Sequence, residues 1–213
     1  MRKVDEWAFR VQREIDRETT QSVHFVTLTY DNKNVPLTKN GFMTLSKDDV
    51  RKYLENLKKY NKRHKYAPVK YFLVGEYGSS KQMGRPHYHA IIFNVTTAER
   101  LNTWGKGNVD IGLDVGTNAV GYIADYIFKS SKVPLFERDD RLKEFRFISN
   151  GLGSNYLTKD MVDYHRRHFF ENSVTLKGGK KIAMPRYFQK KIFDEKERIE
   201  RAAYIGVIVD QIK

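Results

Sequence analysis

Cysteine is absent from this 213-residue chain. Disulfides, thiolate nucleophiles and cysteine-ligated zinc are therefore excluded, and nothing points to secretion. Long apolar runs are missing as well. The longest, Ala90–Phe93 and Ala202–Val209, fall far short of the ~18–20 residues that a membrane span needs. The opening segment, Met1 to Thr20, carries five acidic residues (Asp5, Glu6, Glu14, Asp16 and Glu18) against five basic ones, unlike the apolar middle of a signal peptide. A reducing, cytoplasmic setting with no membrane partner is the expectation. No Gly-x-x-x-x-Gly-Lys-Ser/Thr phosphate loop occurs, which argues against a helicase in the same chain.

Negative charge is scarce. The formal net charge is +13, large for this length, and it predicts long-range attraction to polyanions. Aromatic residues make up 13% of the chain, and bases need aromatic partners to stack on, so nucleic acid is the favoured partner.

Val4, Trp7, Ala8, Val11 and Ile15 recur at helical spacing and predict an N-terminal amphipathic helix within residues 1–20. Val23–Tyr30 is β-branched and aromatic, and Asp31-Asn32 after it reads as a turn. Ser46 caps a helix running to about Asn61, with Val50, Leu54 and Leu57 as its apolar stripe. From Arg51 to Lys70 there are eight basic residues and one acidic residue, Glu55. Val69–Gly75 and His87–Val95 read as an antiparallel strand pair joined by a polar connection. A short helix capped by Thr96 or Thr97 covers Ala98–Thr103, Gly107–Gly112 is a short strand, and Asn118 opens another helix.

The order β-α-β-β-α-β-α predicts an α+β fold. Its antiparallel sheet has a ferredoxin-like or RNA-recognition-like βαββαβ core, helices on one face, and an active site on the other. That core is expected over residues 21–135. A basic extension packed on it follows over 136–213, with a strand at Phe145–Ile148, a helix over Lys159–Glu171, a turn at Gly178-Gly179 and helical spacing from Pro185 onward. Residues 141–213 hold 16 Lys and Arg against 9 Asp and Glu, a balance suited to following a nucleic-acid backbone.

Within Arg85-Pro-His-Tyr-His-Ala-Ile-Ile-Phe93, successive strand side chains alternate faces. His87 and His89 therefore share one, with Cβ atoms roughly 6.5–7 Å apart, a span over which two imidazoles can grip one ion. Glu76, closing the preceding strand, is the candidate third ligand; an exposed end-of-strand carboxylate is the plain alternative. Two nitrogens and one oxygen suit a divalent ion, Mg2+ or Mn2+, with positions left open for substrate. Arg85 aims the start of the second strand and is available to a phosphate. Tyr122 and Tyr126 lie four apart, on one face of a helix, with Lys129 one turn farther on. Aromatics at that spacing are more often core residues, but beside a metal pair they suggest metal-assisted phosphodiester chemistry with tyrosine as nucleophile. A neutral phenol with a pKa near 10 is a poor nucleophile, and Lys129 would favour the phenolate.

Taken together and in order, these segments resemble the HUH superfamily of single-strand DNA endonucleases, named for a histidine-hydrophobe-histidine motif in which Tyr88 takes the middle place. More narrowly, the chain resembles the rolling-circle replication initiators of Microviridae, of the gokushovirus type. Phe25–Asp31 is similar to the family's first motif. Gly75–Gly78 with Gly84–His89 is similar to its metal motif, and Tyr122–Lys129 to its two-tyrosine helix. Asp5–Arg10, Trp104–Gly107 and Gly151–Tyr156 also resemble family segments. The resemblance implies that Tyr122 and Tyr126 are the nucleophiles, one cutting the origin strand to leave a 5′-phosphotyrosine and a free 3′-hydroxyl and the other ending the round. It implies ion ligation by His87, His89 and Glu76, charge stabilisation by Lys129, single-stranded origin DNA as substrate, and host replication proteins including a helicase as partners. Two departures stand out: Asp125 replaces the lysine that relatives often carry before the second tyrosine, and a cysteine-rich stretch ahead of Asp5 is absent.

Two other readings compete. One is a plasmid initiator, relaxase or single-strand transposase built on the same sheet, which the tyrosine pair disfavours. The other is a non-catalytic single-strand binder of RNA-recognition type, which predicts binding that tolerates EDTA and yields no covalent product.

Overall fold

In a computed structural model the described residues are 2–78, 84–112 and 133–212. They fall into two compact units, one of Ile15–Leu152 and one formed by the chain up to Glu14 and from Gly153 onward.

The larger unit is built on a five-stranded antiparallel sheet. Its strands are β1 (Val23–Thr29), β2 (Lys70–Tyr77), β3 (Pro86–Phe93), β4 (Val109–Gly112) and β5 (Phe145–Ile148), in the order β4-β1-β3-β2-β5. The expected α+β arrangement is therefore present: β3 returns between β1 and β2, the pairing of a split βαβ unit. Phe145–Ile148, placed by its sequence in the extension, adds the fifth strand beside β2.

Alternation along the strands divides the sheet. Val26, Leu28, Leu73, Tyr88, Ala90 and Ile92 face one side and meet Val50, Tyr53, Leu54 and Leu57 of a helix over Lys47–Arg63, called α2 because α1 (Arg2–Ile15) precedes it. Each such fully buried aliphatic side chain contributes about 1.5–3 kcal/mol. Ser46 caps α2 as expected, its side chain accepting from the Asp49 amide. The Asp49 carboxylate does not reciprocate; it accepts from the Tyr30 hydroxyl and pairs with Lys106. The short helix α3 (Ala98–Leu101) adds Leu101 to the same core, and Thr97 precedes it without a side-chain capping bond.

β2 runs two residues past its expected end at Gly75, because Gly75, Glu76 and Tyr77 all find partners on β3. One of these pairings depends on glycine. Gly75 lies opposite Tyr88, and a Cβ there would sit 3.1 Å from the Tyr88 ring and from Leu45.

The smaller unit gathers Phe9 of α1 with Val174, Ile182, Met184, Phe188, Ile192 and Phe193. These come from a hairpin of β6 (Ser173–Thr175) and β7 (Lys181–Ala183), from the helix α5 (Arg186–Ile192) and from the residues flanking it; the helix α6 (Glu195–Ile212) follows. α4 (Lys159–Arg167) precedes them and is four residues shorter than its sequence pattern suggests. The buried positions of α1 are Phe9, Arg10, Val11 and Glu14, so only Val11 of the apolar stripe is among them. Paired polar groups explain the difference. The Arg10 guanidinium lies 4.3 Å over Trp7 and 4.1 Å over Tyr187, and Glu14 accepts from the Gly153 amide at 2.8 Å.

Candidate metal centre

The face of the sheet away from α2 carries the three predicted ligands. β2 and β3 are in register with Glu76 opposite His87 and Val74 opposite His89, so one carboxylate and two imidazoles share a face. One ligand atom from each lies within 4.8 Å of the others. Glu76 Oε1 is 2.9 Å from His87 Nε2 and 3.5 Å from His89 Nε2, and all three side chains are at most 15% exposed.

The outer nitrogens show what this cluster is suited to hold. His87 Nδ1 is 3.0 Å from the carbonyl of Arg85, which can only accept, so Nδ1 bears a proton, and a ring with that proton alone presents a lone pair at Nε2. That lone pair points at another acceptor, Glu76 Oε1. A cation held between them satisfies both, as does a second proton on the ring, and the 2.9 and 3.5 Å separations are close to the ~3 Å between adjacent ligands on an octahedral ion with bonds of about 2.1 Å. His89 is held through its own Nδ1, 3.1 Å from the Thr27 hydroxyl, which can donate or accept, and its ring is stacked on Phe25. Outer partners of this kind fix tautomer and ring orientation in metal-binding histidines. The donor set therefore fits a divalent ion that accepts both nitrogen and oxygen.

Arg85 is bonded within the protein at the start of β3. Its Nη2 and Nε donate to the Tyr30 carbonyl at 2.7 and 3.1 Å, and its Nη1 donates to Asn32 at 3.0 Å. Its own carbonyl also accepts from the Gly78 amide, closing the connection between the two strands. Trp104 donates to the Thr29 carbonyl at 3.0 Å, so the end of β1 is held from two sides. Tyr88, between the histidines, points to the core, bonds Ser46 and Tyr30, and has its pKa pushed up to about 12, by burial first. Burial likewise raises Tyr30 and Tyr77, so the phenols behind the sheet stay protonated. Tyr122, Tyr126 and Lys129 lie outside the described residues.

Three residues on this face escaped the sequence reading. Thr27 and Phe25 needed the β1–β3 register to be seen beside His89. Arg146 is exposed opposite Val74 and puts a guanidinium two strands from His89, a position that only the β2–β5 register reveals.

Residues 23–131, just over half of the chain, match the family of the replication-associated protein ORF2. The chain belongs to that family. The matched segment includes Glu76, His87 and His89 and also Tyr122, Tyr126 and Lys129. Among similar proteins, the replication-associated protein ORF2 of Spiroplasma virus 4 is 26% identical over 88% of this chain and 62% of its own length. The replication-associated protein VP4 of Bdellovibrio phage phiMH2K is 27% identical over 78% of this chain and 56% of its own length. ORF4 of Chlamydia phage 1, also a replication-associated protein, is 24% identical over 91% of this chain and 52% of its own length. The chain thus spans between about half and three-fifths of these relatives. No solved structure matches it. The resemblance to phage replication proteins, read from ordered motifs, is borne out by this family membership.

Proposed function

We propose that this protein is a replication initiator endonuclease. It nicks single-stranded DNA at an origin by tyrosine attack assisted by a divalent ion, Mg2+ or Mn2+, and later rejoins strands during rolling-circle replication. The observation that carries this reading is the convergence of Glu76, His87 and His89 inside the segment matched to the replication-associated family. A bound ion would draw charge from the non-bridging oxygens of the scissile phosphate. The protein's residues do the rest. Arg85 and Thr27 hold the imidazoles with their Nε2 atoms inward, and Arg146 offers a cation to the DNA backbone on the same face. The phenol oxygen of Tyr122 or Tyr126 bonds to phosphorus as the bond to the 3′ oxygen breaks. The proton lost by the phenol is replaced by one gained at the 3′ oxygen, leaving a 5′-phosphotyrosine and a 3′-hydroxyl. This linkage keeps the energy of the phosphodiester, so a 3′-hydroxyl can attack the phosphotyrosine, release the phenol and rejoin the strand without ATP. The roles of Tyr122, Tyr126 and Lys129 are supported by motif and family match.

DNA as substrate is supported by the +13 charge and by the names of the relatives. Host replication proteins, a helicase among them, would supply the unwinding that this chain has no phosphate loop to power. Among the described residues no helix is long and apolar enough to cross a membrane, and the proposed place of action is the cytoplasm of a bacterial host.

The test is incubation with Mn2+ and single-stranded oligonucleotides tiling the genome that carries the gene, followed by a denaturing gel. A DNA-shifted band is expected. It should vanish with EDTA, with His87→Ala plus His89→Ala, and with Tyr122→Phe plus Tyr126→Phe. An adduct that survives in the double-tyrosine variant would remove both tyrosines as nucleophiles.

A further inference from the structure

At the C-terminal end of α2, on the core side of the sheet, lies a cavity of about 510 Å3 lined by Lys58, Lys62, Lys65, Tyr66, Pro68 and Val69. Three cations and an exposed aromatic ring around one apolar floor are an unusual combination, and the surroundings sharpen it. Lys62, Lys65 and the neighbouring Lys59 and Arg63 are all exposed, and among the described residues none is paired with a carboxylate. Lys58 lies over the ring of Tyr71 and donates to its hydroxyl. Like charges three and four apart on a helix repel, so this cluster weakens α2 by itself. Lys62 and Arg63 gain something from the helix dipole; Lys58 and Lys59, farther back, gain less.

Lys65 provides a second, independent observation. It is the residue after the α2 C-cap and sits at φ 57°, in the left-handed region, with Tyr66 N–H bonded back to the Asn61 carbonyl and its own N–H to Lys62. Glycine is the usual occupant of that place, because it takes the conformation without steric cost. A lysine there retains strain and puts a further cation on the rim. The wall that follows is rigidly held: Asn61 donates to the Ala67 and Asn94 carbonyls, and Asn94 donates to that of Pro68. The cavity is thus preformed. Tyr66 is 43% exposed, free to stack on one side, with the His64 ring parallel on the other.

We propose that this cavity is a second nucleic-acid contact, seating one nucleotide of a single strand with its phosphate against Lys58, Lys62 and Lys65 and its base against Tyr66 and Pro68. It is not part of the metal centre. Lys70 and Glu76 stand at opposite ends of β2, roughly 20 Å apart at ~3.3 Å per residue, and the cavity opens on the other face. It grips the strand away from the cut, so that a released end stays attached to the protein. The inference rests on DNA being the partner, and the test separates the two claims.

The probe is a fluorescein-labelled 20-mer of thymidylate, its binding followed by anisotropy in EDTA between 50 and 200 mM NaCl. Lys65→Gly relieves the left-handed strain, so its melting temperature should equal or exceed that of the parent while binding weakens about 3-fold. Lys62→Ala added to it should weaken binding about 10-fold in all and flatten the plot of log affinity against log salt by about 0.7, the value for one lost phosphate contact. Tyr66→Leu should weaken binding of the 20-mer about 5-fold and leave an abasic 20-mer unaffected. Unchanged affinity and slope in the lysine variants would overturn the second contact while leaving the nuclease reading intact. Failure of the parent protein to bind the 20-mer at 50 mM NaCl would overturn both.

Discussion

Thr27 Oγ1 lies 3.1 Å from His89 Nδ1, placed there by the β1–β3 register in which the two residues are direct partners. The hydroxyl oxygen can accept the Nδ1 proton, and in that tautomer the Nε2 lone pair faces Glu76. Thr27→Val keeps the shape and removes the acceptor. Affinity for Mn2+, measured by calorimetry, should fall about 10-fold, the lower end of what outer partners of metal ligands contribute, and Thr27→Ser should restore it.

Glu76→Gln keeps the side chain's size and removes its charge. The parent protein should melt at higher temperature in Mn2+, by the equivalent of about 2.7 kcal/mol when the ion is present at 100 times its Kd. The variant should show almost no such shift. A full Mn2+ shift in Glu76→Gln would exclude the carboxylate as a ligand.

Gly75→Ala tests the support beneath the centre. The added methyl would stand 3.1 Å from the Tyr88 ring, which is fully buried and bonded through its hydroxyl to Ser46 and Tyr30. Overpacking of this kind costs about 1–3 kcal/mol, to be read from urea unfolding. Because Tyr88 lies between His87 and His89 along β3, a shift of its backbone moves both imidazoles, and Mn2+ affinity should fall in the same variant.

Gly153→Ala addresses the smaller unit. Gly153 has φ 74°, and a Cβ there would lie 2.4 Å from the Arg10 carbonyl oxygen. Left-handed strain and this collision together should cost about 2 kcal/mol or more. Hydrogen exchange should then show faster opening of α5 and the β6–β7 hairpin.

Asp139 governs an acid response. Its two oxygens accept from Arg141 Nε and Nη2 at 2.8 and 2.7 Å, and this guanidinium holds the carboxyl well below the usual carboxylate range. A lowered folded pKa stabilises the protein fully above the unfolded value of about 3.9, and that stability is lost as pH falls through the folded value. Asp139→Asn should therefore cost about 1–3 kcal/mol at pH 7, with the gap from the parent protein narrowing below about pH 4 in urea titrations.

Much of the fold was legible because periodicity reports burial. The alternation in His87–Phe93 and the Val50, Leu54 and Leu57 stripe each follow a side of the core, and they led to the right strands and helix. The ligand set followed from one consequence of that alternation, that residues two apart share a face. What stayed hidden depended on partners distant in sequence. The end of β2 is set by what β3 offers opposite Glu76 and Tyr77, and Arg85 is claimed by a carbonyl 55 positions away. The buried Glu14 reads as a solvent-facing residue until Gly153 is seen beside it.

The pairing of Glu76 with His87 also limits how the gene can change in length. Loss or gain of one codon between Lys70 and Glu76 would reverse the parity of β2 and turn the carboxylate toward Tyr88, whereas the connector closed by the Gly78 N–H to Arg85 carbonyl bond carries none of the three ligands. Length variation among natural homologues should accordingly collect in that connector and be missing from the two strands it joins.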